Sequence, residues 1–237
     1  MIDINCDLGE GLNNEYMIMP LINSCNIACG GHSGDSGSMI ECIEISLKNN
    51  VKIGAHPSYP DKINFGRKKM DISISDLSNS ILSQIKSLEV IADSYGQNLS
   101  HIKAHGALYN NMIFDSELSN LYLDIIKDYK GQCSLYVPYE SEIEKIASKR
   151  GFRIVYEVFG DRNYNDDLSL VSRDNENALI TDPEKVVDHI KTIIETDTVK
   201  TINGNFQKIN FDTVCIHSDT NNSIEILKRI NIEFNGR

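Results

Sequence analysis

The sequence predicts an α/β protein, a single irregular (β/α) barrel of about seven strands. Three observations predict it. Short apolar runs alternate with amphipathic helices along all 237 residues, without a linker or a composition break. Five of those runs deliver titratable side chains directly after their last apolar residue. Glycine, proline and asparagine gather in the connections that follow. Parallel strands with right-handed crossovers bring every strand exit to one face, where the loops carry chemistry. A doubly wound open sheet shares that property, and periodicity alone does not choose between the two.

Strand Ile2–Cys6 leads through Asp7–Leu12 to a helix near Glu15–Ser24. Strand Asn26–Cys29, loop Gly30–Gly37 and helix Ser38–Asn49 follow; Met39, Ile40, Ile43 and Leu47 keep helical spacing. Strand Val51–Ala55 runs into the long polar loop His56–Asp71, and a loop of that length is usually functional. Ser75 and Asp76 start a helix ending near Tyr95, with Gly96 at C′ and Ile81, Leu82, Ile85, Leu88 and Ile91 as its buried stripe. Strand His101–Ala104, loop His105–Asn111 and helix Ser116–Tyr129 come next, then strand Cys133–Val137, helix Glu140–Lys149 and strand Arg153–Val158. After the polar segment Phe159–Ala178, Asp182-Pro183 caps a helix to about Glu195. Thr198–Asn210 reads as a hairpin turning at Asn203-Gly204. Strand Thr213–His217 and helix Asn222–Ile230 complete a single catalytic domain over 1–237.

The net charge of −11 argues against a nucleic-acid partner, which needs a concentrated basic face. The six cysteines include no Cys-x-x-Cys pair and read as small buried residues of a reducing compartment. No basic or apolar leader precedes Ile2, and no apolar run approaches the ~18 residues of a membrane span. The expectation is a cytoplasmic protein.

The candidate chemistry lies at the strand exits. Asp7 and Glu10 follow the first strand, His32 the second, His56 the third, His105 the fourth and His217 the last. These groups suit acid–base work near neutral pH or metal ligation. A metal held by Asp7, His32 and His56 from separate loops is one possibility, and an acid–base site without a resident metal is the other. Lys103 shares a strand face with His105, and a lysine there must find a partner. Arg67, Arg162 and Arg173 lie in the two longest polar loops, suited to clamping a carboxylate or phosphate. No phosphate-binding G-x-x-x-x-G-K-[ST], no G-x-G-x-x-G and no Gly-x-Ser-x-Gly elbow is present.

Several blocks carry a resemblance: Asn5-Cys6-Asp7-Leu8-Gly9-Glu10-Gly11, Asn26-Ile27-Ala28-Cys29-Gly30-Gly31-His32-Ser33-Gly34-Asp35 and Ile53-Gly54-Ala55-His56-Pro57-Ser58-Tyr59-Pro60-Asp61. Asn64-Phe65-Gly66-Arg67, Lys103-Ala104-His105-Gly106-Ala107-Leu108-Tyr109-Asn110, Glu157-Val158-Phe159-Gly160-Asp161-Arg162 and Val214-Cys215-Ile216-His217 continue it. In this order they resemble the LamB/YcsF family, the A subunits of ATP-dependent 5-oxoprolinase. Gly31, Ser33, Ala104 and Ser218 depart from the family's usual Phe, Ala, Pro and Gly.

The resemblance implies a barrel related to glycoside hydrolase and deacetylase barrels. It implies opening of 5-oxo-L-proline to L-glutamate with hydrolysis of ATP, accompanied by Mg, in company with subunits B and C. His32 or His56 with Asp7 would do the acid–base work. Lys103 and Arg67 would meet anionic oxygens, and Glu10, His105 and His217 would orient groups or relay protons. Asp35, Asp61, Asn110, Glu157, Asp161, Arg162 and Arg173 would complete the contacts to substrate or phosphate. Two rivals are a metal-dependent amidohydrolase or deacetylase without ATP, and a non-catalytic chain that binds ligand while a partner catalyses.

Overall fold

In the first strand the alternation Ile4-Asn5-Cys6-Asp7-Leu8 sorts side chains to two faces. The computed structural model, which describes residues 1–236, turns Ile4, Cys6 and Leu8 into the aliphatic layer and points Asn5 and Asp7 into the lumen, at partners on the two neighbouring strands. The elements run β1 (Ile4–Leu8), α1 (Glu15–Ile18), β2 (Ser24–Ala28), α2 (Ser36–Asn49), β3 (Lys52–His56), α3 (Ile74–Ser94) and β4 (His101–Ile102). They continue with α4 (Gly106–Asn111), α5 (Ser116–Ile125), β5 (Ser134–Pro138), α6 (Glu142–Lys149), β6 (Ile154–Phe159) and α7 (Pro183–Thr196). β7 (Thr198–Lys200), β8 (Phe206–Lys208), β9 (Thr213–Cys215) and α8 (Ser223–Ile230) end the order.

Strands β1 to β6 and β9 form a closed, wholly parallel barrel. The closure is β9, which pairs with β1 on one side and β6 on the other, and this removes the open-sheet alternative. β7 and β8 are the expected hairpin, antiparallel and outside the barrel. Short polar side chains start the helices: Asp35, Ser73, Asp115, Ser141 and Asp182 each accept a hydrogen bond from a first-turn backbone N–H. All six cysteines are buried and unpaired. Among the described residues, no helix is long and apolar enough to cross a membrane.

Four expectations fail locally. The helix expected over Glu15–Ser24 is one turn, Glu15–Ile18, followed by a 3₁₀ turn at Met19–Leu21 that holds Pro20. Strand β2 then begins at Ser24, two residues early. The expected loop His105–Asn111 is instead the short helix α4, entered through Gly106 at φ 55°. Helix Ser116–Tyr129 becomes α5 plus a 3₁₀ turn at Lys127–Tyr129.

The barrel has two different interiors. Between strands and helices lies an aliphatic layer including Ile4, Ile27, Ile43, Ile81, Ile85, Leu123 and Val214. The lumen is polar and closed to bulk solvent: Asn5, Ser24, Asn26, His101 and Thr213 are all 1% exposed or less. Such groups are tolerated only when hydrogen-bonded, and here they form a chain. Thr213 Oγ1 donates to Asp3, Asn5 Nδ2 donates to Thr213, and Asn26 Nδ2 donates to both Asn5 and Asp7. His101 Nε2 completes it by donating to Asn26 Oδ1 at 2.7 Å, with Tyr136 stacked on its ring.

Gly54 is what lets His101 reach that far. The two residues are register partners, and a Cβ on Gly54 would sit 2.2 Å from His101 Nε2. Gly54→Ala should therefore destabilise the fold by about 1–3 kcal/mol in urea unfolding. In Gly54→Ala/His101→Ala the two losses should be less than additive; simple additivity would refute the collision.

A second histidine, His189 in α7, is half-buried with its Nε2 enclosed, and this desolvation pushes its pKa down to about 4. A depressed histidine leaves stability intact above its unfolded pKa of ~6.5, and stability is lost as pH falls below that value. At pH 5 this amounts to about 2 kcal/mol. His189→Leu should reduce the acid sensitivity between pH 7 and 5 by about that amount. Parallel urea midpoints for wild type and variant would contradict it.

Candidate active site

The carboxyl ends of the strands open on a cavity of about 420 Å³. Its base carries Asp7, Glu10, His56, Lys103, His105 and His217; its rim carries Arg67, Asn110, Arg162, Arg173 and Asp219. Each basal group comes from the end of β1, β3, β4 or β9, so the barrel itself sets their spacing.

Lys103 lies at the bottom, 2% exposed. Its Nζ donates to Asp7 Oδ1 at 2.9 Å, lies 2.8 Å from Glu157 Oε1 and contacts Cys215 Sγ at 3.2 Å. The Glu157 contact is an ion pair without an aligned hydrogen bond. Burial works against the ammonium, but Asp7 first and then the other neighbours outweigh it and hold Lys103 well above the usual lysine range. Burial would likewise raise Asp7; His56 and Lys103 together hold its carboxyl well below the usual range. Asp7 is thus an anion, fixed by Asn26 Nδ2 at 2.7 Å and 3.3 Å from His56 Nε2.

Two carbonyls settle the histidine tautomers. A carbonyl oxygen only accepts, so His56 donates from Nδ1 to Lys103 O (2.8 Å) and His105 donates from Nε2 to Phe65 O (3.0 Å). The remaining nitrogens, His56 Nε2 and His105 Nδ1, face each other at 3.0 Å. Asp7 lies beside the first, and Glu10 Oε1 is 3.5 Å from the second. Four acceptors therefore converge, and a proton or a cation must lie among them. His32 stands behind, stacked on His105 with ring centroids 3.5 Å apart and its Nε2 on Glu10 at 3.0 Å. Burial lowers both His32 and His105, and His56 repels further charge on either; His105 is held well below the usual range.

On the opposite wall His217 Nδ1 meets Asp161 Oδ1 at 3.0 Å. Asp161 is fully buried and also accepts from the His217 N–H and Thr220 Oγ1. Burial would raise it, but His217 and these donors keep its carboxyl below the usual value. An ionised carboxylate on Nδ1 leaves the Nε2 lone pair free, and Nε2 lies 4.0 Å from Asp7 Oδ2. Phe159 stacks on the ring at 5.3 Å.

With this geometry in view, the sequence pattern of the LamB/YcsF family matches residues 2–236. The chain belongs to the LamB/YcsF family. Among its relatives is the 5-oxoprolinase A subunit of Pyrococcus abyssi, 38% identical over 236 residues, covering 97% of this chain and 92% of that protein. The crystal structure of the lactam utilization protein from Thermus thermophilus superposes with a TM-score of 0.89 at 31% identity, covering 99% of this chain and 97% of that one. A GH113 β-1,4-mannanase superposes at 0.52 with 12% identity over 100% and 99% of the two chains, a likeness of fold alone.

In this LamB/YcsF chain not every residue expected at the site reaches the cavity. Asp35 is exposed and caps α2; Asp61 ties down the Asn64 turn. Glu157 is turned to Lys103 and Asp161 to His217, so neither carboxylate meets an incoming anion. His32 lies behind His105. The expected metal trio Asp7, His32 and His56 also regroups. The donor atoms that all lie within 4.8 Å of one another belong to Glu10, His32, His56 and His105, while Asp7 groups with Cys215 and His217. Arg162 lines the rim but spends Nε on Ala178 O and Nη2 on Val171 O.

Sequence reasoning does not single out Asn5, Asn26, His101 or Tyr109. For Asn5 a signal is present, because Asn5 and Asp7 share a strand face; His101 looks like an ordinary strand start. Tyr109 is 5% exposed, lines the cavity and has no aligned partner for Oη. Gly31 has no space for a side chain, because Gln84 bonds both the N–H and C=O of Ser58 and would lie 2.3 Å from a Cβ at Gly31.

Lys103→Met would leave Asp7 and Glu157 buried without a counter-charge, a change that costs about 3–5 kcal/mol. Urea unfolding should show a loss of that size; a loss below about 1 kcal/mol would mean that the ammonium contributes little.

Proposed function

We propose that the chain is the A subunit of a 5-oxoprolinase, opening 5-oxo-L-proline to L-glutamate with hydrolysis of ATP, accompanied by Mg, together with partner subunits B and C. One observation carries the reading: the Asp161–His217 dyad faces Asp7 at the base of a small cavity rimmed by arginines. The kinship along nearly the whole chain supports it.

An unstrained lactam resists water because its amide resonance must be broken. A phosphoryl group from ATP on the lactam oxygen makes the ring carbon electrophilic. Water between His217 Nε2 and Asp7 Oδ2 fits the 4.0 Å gap by donating one hydrogen to each. His217 takes a proton as the water oxygen bonds to carbon, and Asp161 holds the resulting imidazolium. The carbon–nitrogen bond breaks as a proton passes to nitrogen from the His56–His105 pair and the new hydroxyl gives its remaining proton to Asp7, leaving an acyl phosphate. A second water then releases phosphate and glutamate. Tyr109 Oη donates to the oxygen on which charge develops, and burial, reinforced by Glu157, keeps the phenol protonated.

A second reading is favoured by the group of ligand atoms within 4.8 Å of one another: Glu10, His32, His56 and His105 fit a divalent ion, and the reaction is then amide or ester hydrolysis without ATP. Such an ion would lower the pKa of a water and polarise a carbonyl.

Glutamate release from 5-oxoproline by the chain together with its partners separates the two. The expected result is strict ATP dependence, with His217→Ala lowering kcat by about 10²–10⁴. Release that ignores ATP and is abolished by a chelator would establish the second reading instead.

A further inference from the structure

Asp219 belongs to neither the dyad nor the histidine cluster, yet among the described residues it is a carboxylate shared by two cations at the rim. Arg67 Nη2 donates to Asp219 Oδ2 at 2.5 Å. Arg173 donates through both terminal nitrogens, Nη1 to Oδ2 at 3.0 Å and Nη2 to Oδ1 at 3.3 Å. Arg67 comes from the loop after β3 and Arg173 from the segment after β6, so the carboxylate joins the two longest loops across the mouth. Two guanidiniums on one oxygen repel unless that charge lies between them.

The two arginines are committed differently. Arg173 has both terminal nitrogens on Asp219. Among the described residues, Arg67 donates only through Nη2, so Nε and Nη1 are left for a ligand in the cavity. The ring of Phe65 lies under its guanidinium at 4.7 Å and fixes its plane. Asp219 is also two residues beyond His217, so one short loop sets both the base and the anchor of Arg67.

We infer that Asp219 is a positioning residue for substrate recognition: braced by Arg173, it holds Arg67 over the cavity so that a free N–H of Arg67 takes the carboxylate of 5-oxoproline at a fixed distance from His217. The inference rests on the 5-oxoprolinase reading for its ligand and on the ion-pair geometry for its brace. It makes Asp219 a determinant of selectivity for an anionic lactam over a neutral one.

Asp219→Asn in the complex with its partners is the test, with 2-pyrrolidinone, the same ring without the carboxylate, as competitive inhibitor. The expected result is a KM for 5-oxoproline raised about tenfold, the loss of one charge-assisted contact, with kcat falling much less. The inhibition constant of 2-pyrrolidinone should not move, and hydrogen exchange should quicken in both loops, 57–71 and 160–178. An unchanged or lowered KM overturns the inference, as does equal weakening of both lactams; a lowered KM would mean that Asp219 competes with the substrate. If the wild-type complex does not open 5-oxoproline at all, the functional reading fails. The exchange measurement then decides the brace alone: unchanged exchange in either loop refutes it.

Discussion

The ammonium of Lys103 is the constraint around which the rest is arranged. It leaves the end of β4, which lies across the barrel from β9, and reaches Asp7 from β1, Glu157 from β6 and Cys215 from β9. A charge so far from water is tolerable only when it is surrounded by partners, and the parts come from four strands. The same residue governs a second feature through its backbone, since the carbonyl of Lys103 accepts from His56 Nδ1 and so turns the Nε2 lone pair inward. One residue thus sets the ionisation of Asp7 and the tautomer of its histidine neighbour.

That arrangement explains why the lumen is polar and the outer layer aliphatic. An apolar lumen would serve stability better, because every buried amide or imidazole contributes only when fully partnered. Here one branch of donors runs from His101 to Asn26 to Asp7 and supports the negative charge at the mouth, while the other runs from Asn26 through Asn5 and Thr213 to Asp3. The aliphatic packing between strands and helices holds the fold together, while the lumen holds one carboxylate ionised and immobile.

Much of the architecture was legible in the sequence, and for a physical reason. The alternation of β-period and helix-period runs, with polar exits after strands, leaves few packings besides a parallel barrel or sheet, and Asp7, His56, His105 and His217 meet at one mouth because of it. Other features were hidden because they depend on contacts distant in sequence. Nothing local says that His32 stacks behind His105, or that Glu157 and Asp161 turn to Lys103 and His217 rather than to a ligand. Pro20 signals a break, but α4 depends on Gly106 taking a positive φ where a side chain would press on the carbonyl of Gly66. Asn26 looks like the start of a strand; only register with Asp7 on one side and Gly54 on the other makes it a tether.

The charge distribution reconciles an acidic protein with an anionic substrate. The chain carries a net −11, which would repel carboxylates at long range. Near the mouth the balance reverses: Arg67, Arg162 and Arg173 crowd together, and Arg162 is pushed down to about 10 by burial and then by Arg173. Screening limits the global field to about 8 Å at physiological salt, so a ligand at the rim feels the arginines rather than the distant surface. Deeper in, Asp7 and Glu10 restore negative charge beneath the rim. A molecule with a carboxylate at one end and an amide at the other meets cations first and bases second. That order orients it before chemistry begins.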